Sequence, residues 1–130
     1  MSERMTLYKE GLALFGQQKN REAVEKYRKA LESDPDWTDC LHALAMALSQ
    51  TGDHDQAIEI GKRIVELDPD DAFAHTSLSM FYMRKGMIEE AEAEGAKARM
   101  VSWKQDLKTN PKAPPPADFR PGTGDMNVVQ

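Results

Sequence analysis

A repeat of 34 residues is the feature of this sequence that most restricts its fold. The segment ESDPDW at residues 32–37 returns as ELDPDD at residues 66–71. The match extends backwards, so that residues 22–37 align with residues 56–71. Repeats of this length are typical of architectures in which similar units stack and each unit packs only on its neighbours.

Small residues and helical spacing recur with the same period. Gly52 and Ala57 return as Gly86 and Ala91. Within each block, apolar residues follow at intervals of three and four, which is the period of an α-helix. Gly and Asp-Pro interrupt this pattern about twice per repeat. Each unit is therefore predicted to be a helix, a turn and a second helix.

This pattern resembles the tetratricopeptide repeat (TPR) family, over about residues 4–105. The resemblance implies an all-α fold, a right-handed superhelical solenoid of antiparallel helix pairs with three units and six helices. The predicted repeats are about 4–37, 38–71 and 72–105, within a TPR domain at 4–108. The predicted helices are about 4–17, 20–33, 37–50, 54–67, 71–85 and 88–108.

The C-terminal part of the chain departs from the repeat. The last helix is predicted to continue beyond its period, and Met100, Val101, Trp103 and Leu107 are predicted to cap the third repeat, since a terminal repeat has an exposed apolar side. Residues 109–130 are rich in Pro and Gly and poor in apolar residues, which predicts a flexible tail. A linear motif around residues 118–121 is a weaker alternative.

One exchange of side-chain volume is visible in the repeat alignment. Gly61 and Gly95 stand where the first repeat has Tyr27, and Phe81 stands where the second repeat has Ala47. Because protein interiors contain few voids, we predict that the Phe81 ring packs over Gly61.

Composition narrows the classes of partner. Charged residues make up 30% of the 130 residues and the net charge is −5, which disfavours nucleic acid, whose binding depends on Lys and Arg. No apolar run approaches the roughly 20 residues that cross a bilayer. The N-terminus lacks a secretory signal pattern, and the single cysteine, Cys40, is compatible with a reducing compartment. We therefore predict a cytoplasmic protein that does not insert into membranes.

The sequence has no signature of a catalytic or metal site. His42, His54 and His75 do not form HExxH, and CxxC and Gly-rich phosphate loops are absent. His54 lies in GDHDQA, where an Asp at the start of a helix is predicted to cap backbone N–H groups. We predict a protein that is not an enzyme and needs no cofactor. A metal-binding protein or small hydrolase is a lesser alternative.

The resemblance implies that the first helices of the repeats line a concave groove. The implied peptide-binding residues are Tyr8, Lys9, Leu12, Phe15, His42, Met46, Phe73, Met80, Met83 and Arg84, and the same face includes Asp39, Ala43 and Thr76. Leu12, Met46 and Met80 are each 34 residues apart and are predicted to form an apolar stripe. The two basic residues at its rim would steer an acidic flank of the ligand.

A known use of such grooves is a clamp for the two carboxylates of chaperone tails, which needs Lys, Asn and Arg. At the clamp positions this chain has Tyr8, Leu12, Ala43, Phe73 and Ser77. The predicted function is therefore a non-catalytic interaction module, acting as scaffold or adaptor, that binds a protein or peptide with apolar anchors. The alternative is self-association, in which the groove accepts another copy of the chain.

Overall fold

The computed structural model describes residues 2–119 and is built from helix pairs. Its helices are α1 (Glu3–Gly16), α2 (Asn20–Ser33), α3 (Thr38–Gln50), α4 (His54–Leu67), α5 (Ala72–Lys85) and α6 (Ile88–Thr109), followed by a short 3₁₀ turn at Ala117–Phe119. No strand is present within this part of the chain. The predicted all-α class and the six predicted helices are confirmed.

The helices stack in chain order around one main core. Each helix packs on the next, and α1 also reaches α3. Tyr27, Leu48, Leu78 and Phe81 are the largest members of this core that are almost completely buried. Such sequential packing is expected of a repeat array, in which each unit buries its apolar side against its neighbours.

The turn inside each helix pair has the same geometry in all three repeats. An N–H group donates at 2.9 Å to the carbonyl five residues earlier: Lys19 to Leu14, Asp53 to Leu48 and Met87 to Tyr82. The residue before each donor has positive φ: Gln18 at 63°, Gly52 at 91° and Gly86 at 86°. This is the left-handed C-terminal cap that ends many helices.

Capping at the helix N-termini is uneven. The Asp71 carboxylate accepts a hydrogen bond from the Ala74 N–H at 3.2 Å and caps α5. The corresponding prediction for the GDHDQA turn is wrong, because the Asp53 side chain makes no capping hydrogen bond to α4. Its carboxylate instead accepts a hydrogen bond from the Thr51 hydroxyl at 3.4 Å.

Aromatic rings fill the helix interfaces in two different ways. The Tyr27 ring lies so close to Gly11 that a Cβ atom at residue 11 would overlap it. A Cβ atom at Gly61 would lie 3.6 Å from Cδ2 of Phe81 and 3.0 Å from Cδ1 of Leu78. The predicted packing of Phe81 over Gly61 is confirmed, with Leu78 sharing the space.

A polar pair interrupts the core between α5 and α6. His75 and Glu94 are both buried. The Nε2 atom of His75 donates a hydrogen bond to the carbonyl oxygen of Pro69 at 2.9 Å. The Nδ1 atom of the same ring lies 3.6 Å from a carboxylate oxygen of Glu94. Lys97 approaches the same carboxylate at 3.3 Å from solvent. His75 is thus packed in the core and hydrogen-bonded.

The chain after α6 turns back along that helix as far as residue 119. The Trp103 indole N–H donates to the carbonyl of Ala113 at 2.9 Å. Arg99 Nε donates to Asp118 at 2.7 Å and a second guanidinium N–H meets the other carboxylate oxygen. The hydrogen bond from Arg99 lowers the pKa of Asp118. Residues 110–119 therefore have defined contacts that the flexible-tail prediction did not include, and residues 120–130 lie outside the described residues.

The extended part of α6 is half-buried on its apolar side and contacts the turn before α5; its predicted role as a cap stays a prediction. Met100, Val101, Trp103 and Leu107 are half-buried, and Gln105 Nε2 donates to the carbonyl of Asp70 at 2.9 Å. No helix between residues 2 and 119 combines the length and hydropathy needed to span a bilayer.

Candidate functional site

A cavity of about 500 Å³ opens on the wall formed by α1, α3 and the start of α5. Its lining is Tyr8, Leu12, Phe15, Tyr27, Thr38, Asp39, His42, Ala43, Met46, Asp71 and Phe73. We call it the groove cavity. Volumes between 300 and 1,000 Å³ are typical of ligand pockets.

Helical spacing explains why these side chains converge. On α1, Tyr8, Leu12 and Phe15 follow at intervals of four and three, so they form one stripe. On α3, His42 and Met46 are one turn apart. The opposite face of α3 carries the buried leucines of the core. Each helix thus presents one side to the core and another to the groove cavity.

The apolar part of the cavity is open to solvent. Leu12 is 43% exposed and Phe73 is 59% exposed, while Met46 is half-buried against the core. Large exposed apolar side chains that line one cavity are a usual mark of interaction surfaces.

An aromatic group holds the N-terminal side of the cavity. The centre of the Tyr8 ring lies 4.8 Å from that of Trp37 and 6.1 Å from that of Tyr27. The guanidinium of Arg4 lies 5.0 Å from the centre of the Trp37 ring, at a cation–π distance. Burial raises the pKa of the Tyr8 hydroxyl, and the negative charge of Asp39 raises it further.

The opposite side of the cavity is fixed by a polar contact between α3 and the N-terminal cap of α5. His42 Nε2 on α3 lies 3.1 Å from the Asp71 carboxylate, which also caps α5. The centres of the His42 and Phe73 rings are 5.1 Å apart. His42 is therefore positioned by Asp71 and in turn supports the exposed ring of Phe73.

The charged groups of the groove cavity are acidic. Asp39 and Asp71 line it, and no Lys or Arg is among its lining residues within the described chain. Asp71 is engaged by His42 and by the α5 N-terminus, whereas Asp39 is exposed at the first turn of α3. The cavity therefore combines an apolar floor with a negative rim.

The structure brings six of the ten predicted groove residues together in this cavity: Tyr8, Leu12, Phe15, His42, Met46 and Phe73. The other four, Lys9, Met80, Met83 and Arg84, do not line it. Met80 is half-buried against the core, and the Arg84 guanidinium donates to the Ser49 hydroxyl at 2.5 Å. The predicted stripe thus has Leu12 and Met46 in the cavity and Met80 outside it.

Three lining residues were not predicted from the sequence. Tyr27 is buried below the cavity and reaches it from α2, whereas Thr38 and Asp71 stand at the starts of α3 and α5. The Asp-Pro-Asp turn before α5 gave a signal for Asp71 as a helix cap, but not for its contact with His42.

The described residues contain no cluster suited to a metal ion. Between residues 2 and 119, no three His, Cys, Asp or Glu side chains are arranged to hold one. Cys40 is buried under the groove wall, where burial raises the pKa of its thiol to about 12. A thiol in such an environment is protonated and unreactive at neutral pH.

Comparison with known proteins identifies the repeat. A family profile described as tetratricopeptide repeat matches residues 14–78, half of the chain. The chain belongs to the tetratricopeptide repeat family. TPR units are typically interaction modules and not catalysts.

Solved structures share the TPR fold with this chain. A structure titled MamA MSR-1 is 26% identical, with a TM-score of 0.74 across 79% of this chain and 59% of that one. One titled MamA AMB-1 is 27% identical, with a TM-score of 0.72 across 78% of this chain and 60% of that one. The chain thus spans about three fifths of the length of these MamA structures.

A third TPR structure contains a peptide. The first TPR of Spaghetti (RPAP3), bound to the HSP90 peptide SRMEEVD, is 17% identical to this chain, with a TM-score of 0.67. The match covers 98% of this chain and 89% of that one. At this level of identity the likeness concerns the fold alone.

Proposed function

We propose that this protein is a non-catalytic interaction module that binds a peptide segment of a partner protein in the groove cavity. The observation that supports this most directly is the pair of exposed apolar side chains, Leu12 and Phe73, on opposite sides of one cavity of about 500 Å³. A ligand side chain placed between them would bury apolar surface on both sides. Scaffold or adaptor roles in the cytoplasm remain predictions from the sequence.

The proposed ligand enters by its apolar anchors. Leu12, Met46 and Phe73 offer three apolar contacts from three different helices. Methionine adapts to apolar groups of varied shape. A cavity of this volume receives one or two side chains, so the expected ligand is a short extended or helical segment.

The related fold of the RPAP3 TPR with its HSP90 peptide supports the idea that such a wall can hold a peptide. The chemistry of the ligand must differ. Tyr8, Leu12 and Phe73 occupy positions where a carboxylate clamp needs polar or basic residues. An acidic tail would meet apolar side chains and leave its carboxylates without partners, which is unfavourable.

The proposal can be tested by selecting peptides on the full chain. Phage displaying random dodecapeptides would be panned against the immobilised protein, and the enriched peptides would be synthesised and titrated by fluorescence anisotropy. We expect Leu12→Glu and Phe73→Ala to weaken binding at least about thirtyfold, because hot-spot truncations cost about 2 kcal/mol or more. Both residues are exposed, so circular dichroism should stay helical.

A matched control uses another exposed apolar residue. Ile88 is 47% exposed, close to the value for Leu12, and begins α6 away from the groove cavity. Ile88→Glu should leave peptide affinity unchanged. Peptides that bind wild type, Leu12→Glu and Phe73→Ala equally, or a selection that enriches none, would contradict the proposal.

Self-association stays an alternative for the same cavity. In that case the occupant is a segment of another copy, and the mass measured by light scattering should rise with protein concentration. Leu12→Glu should then return the protein to a monomer. A concentration-independent monomeric mass for wild type would contradict this alternative and leave the peptide proposal intact.

A further inference from the structure

We propose that the ligand of the groove cavity carries a basic side chain, Lys or Arg, next to its apolar anchor, and that Asp39 receives this charge. The inference rests on the proposed function and names the ligand chemistry more narrowly. It is also opposite to the sequence-based expectation that Lys9 and Arg84 would steer an acidic flank.

The first support is the sign of the charge at the cavity. Asp39 and Asp71 line it, and Lys and Arg are absent from its lining within residues 2–119. Complementary charge across an interface steers association and selects partners. An acidic ligand would add a third negative group to this rim.

The second support is the difference between the two carboxylates. Asp71 already meets His42 at 3.1 Å and the Ala74 N–H at 3.2 Å. Asp39 is exposed, and no hydrogen bond or ion pair within the described chain uses its carboxylate. Asp39 is therefore the group with acceptor positions for an incoming cation.

The third support is that no basic side chain of the described residues pairs with Asp39. Arg4 pairs with Asp34 and stacks on Trp37, and Arg84 donates to Ser49. Lys9 is exposed and does not line the cavity. The charge of Asp39 is thus not neutralised from inside the protein.

Aromatic rings make the same place suitable for a cation. Tyr8 lies beside Asp39, whose charge acts on its hydroxyl, and Phe73 presents an exposed ring across the cavity. Lys and Arg bury their methylene stems on apolar surface while the charged group stays at the rim. Cation–π attraction to an aromatic face adds to the ion pair.

The test uses peptides enriched on the full chain by the panning described above. We expect most of them to contain Lys or Arg within about three residues of a large apolar residue, because one helical turn or a short extended segment spans the cavity. Replacing that basic residue by Gln in the synthetic peptide should weaken binding about three- to fivefold, the range of a partly exposed ion pair.

The decisive experiment changes the charge at residue 39 of the protein and at the basic position of the peptide. Asp39→Asn should weaken binding of the basic peptide by the same factor. It should not change the affinity of the peptide in which Gln replaces the basic residue. Asp39→Lys should prefer the same peptide with Glu in place of the basic residue. Glu59→Gln, an equal charge change at an exposed position of α4 outside the cavity, should have no effect.

The outcomes separate the two proposals. Enriched peptides that lose affinity with Leu12→Glu but contain no basic residue would overturn this inference and leave the proposed function standing. Equal effects of Asp39→Asn and Glu59→Gln on peptide affinity would likewise overturn this inference and leave the proposed function standing. Peptides insensitive to both Leu12→Glu and Phe73→Ala would overturn the proposed function itself.

Discussion

At the scale of single residues, Gln18 has the backbone conformation least suited to its side chain. Its φ is 63°, in the left-handed region, where the equivalent turns of the other two repeats have Gly52 and Gly86. The left-handed conformation costs a non-glycine residue roughly 1–2 kcal/mol. The first repeat therefore has a turn with the right hydrogen bond and an unfavourable residue.

Gln18→Gly should stabilise the protein. We expect the free energy of unfolding to rise by about 0.5–1 kcal/mol, because relief of the left-handed strain is partly offset by the greater entropy of glycine in the unfolded chain. Urea denaturation followed by circular dichroism measures the change. Gly52→Ala is the reverse control and should lower stability. A lower stability for Gln18→Gly would show that the Gln18 side chain contributes more than its backbone costs.

Because of Cys40 and Tyr27, the free energy of unfolding is expected to decrease at alkaline pH. Burial raises the pKa of the Cys40 thiol from 9.0 to about 12 and that of the Tyr27 hydroxyl from 10.0 to about 12. The folded protein thus favours the neutral forms of both groups. Their contribution is complete below pH 9.0 and is lost as the pH rises towards about 12.

We expect the urea midpoint of unfolding to decrease as the pH rises from 9.0 to about 12. In the first part of this interval, the midpoint of Cys40→Ala should decrease less steeply than that of wild type. In that range the unfolded thiol ionises while the native thiol does not. Midpoints should be measured at several pH values for both proteins. Parallel curves for the two would contradict the raised pKa of Cys40.

At the scale of helices, close packing of two elements decides which glycines can be replaced. Gly11→Ala should lower the free energy of unfolding by about 1–3 kcal/mol, since the added methyl group meets the buried Tyr27 ring and overpacks the contact between α1 and α2. Gly95→Ala is the matched change on α6. A Cβ atom there would lie 3.4 Å from Arg99 and 3.6 Å from Ser79.

Gly95→Ala should therefore raise stability, by about 0.5–1 kcal/mol, because alanine is the better residue in a helix. Thermal unfolding of both variants tests the pair. Equal effects of the two substitutions would mean that the Tyr27 ring can move away from Gly11.

The buried pair between α5 and α6 gives a prediction of a different kind. The second repeat has Leu41 and Ile60 at the places of His75 and Glu94. His75→Leu alone should destabilise by about 2–3 kcal/mol, because it leaves the buried Glu94 carboxylate with Lys97 as its remaining partner.

Adding Glu94→Ile should restore stability to the wild-type level or above, since apolar residues often replace a buried polar pair without loss. The two variants and Glu94→Ile alone form a double-mutant cycle in urea. Additive effects of the single substitutions would show that His75 and Glu94 do not depend on each other.

Much of the architecture could be predicted from periodicity, and the details of the site could not. The predicted helix ends lie within one or two residues of the observed ones, largely because the recurring Asp-Pro and Gly residues stop helices through local geometry. The contact of His42 with Asp71 depends on how α3 meets α5, which no local pattern specifies. The same is true of the bonds from Arg99 and Trp103 to residues 113–118, because that segment has no apolar period.

At the scale of the whole molecule, the second half of α6 and the segment after it are expected to differ in their importance for solubility. A chain ending at residue 109 loses the hydrogen bond from Trp103 to Ala113 and the pairing of Arg99 with Asp118. We expect it to stay folded, with tryptophan emission shifted to longer wavelength, since Trp103 becomes more exposed. The shift should disappear in the same truncation carrying Trp103→Phe.

A chain ending at residue 99 should aggregate, because it also loses the half-buried Met100, Val101 and Trp103, which are predicted to cap the third repeat. Light scattering of the two truncations separates them. Similar solubility of both would mean that the second half of α6 does not protect the end of the array.

The positions of the Tyr27 and Phe81 rings limit which repeats can be removed from this solenoid. In the first repeat the ring stands on the second helix, as Tyr27 over Gly11, and at the next junction it comes from the following repeat, as Phe81 over Gly61. Excision of one whole period, residues 38–71, would join α5 to α2 and direct Phe81 towards Tyr27, so that two rings compete for one space. The units are therefore not interchangeable parts. Loss of the second repeat, in evolution or by engineering, requires a compensating change at residue 27 or residue 81.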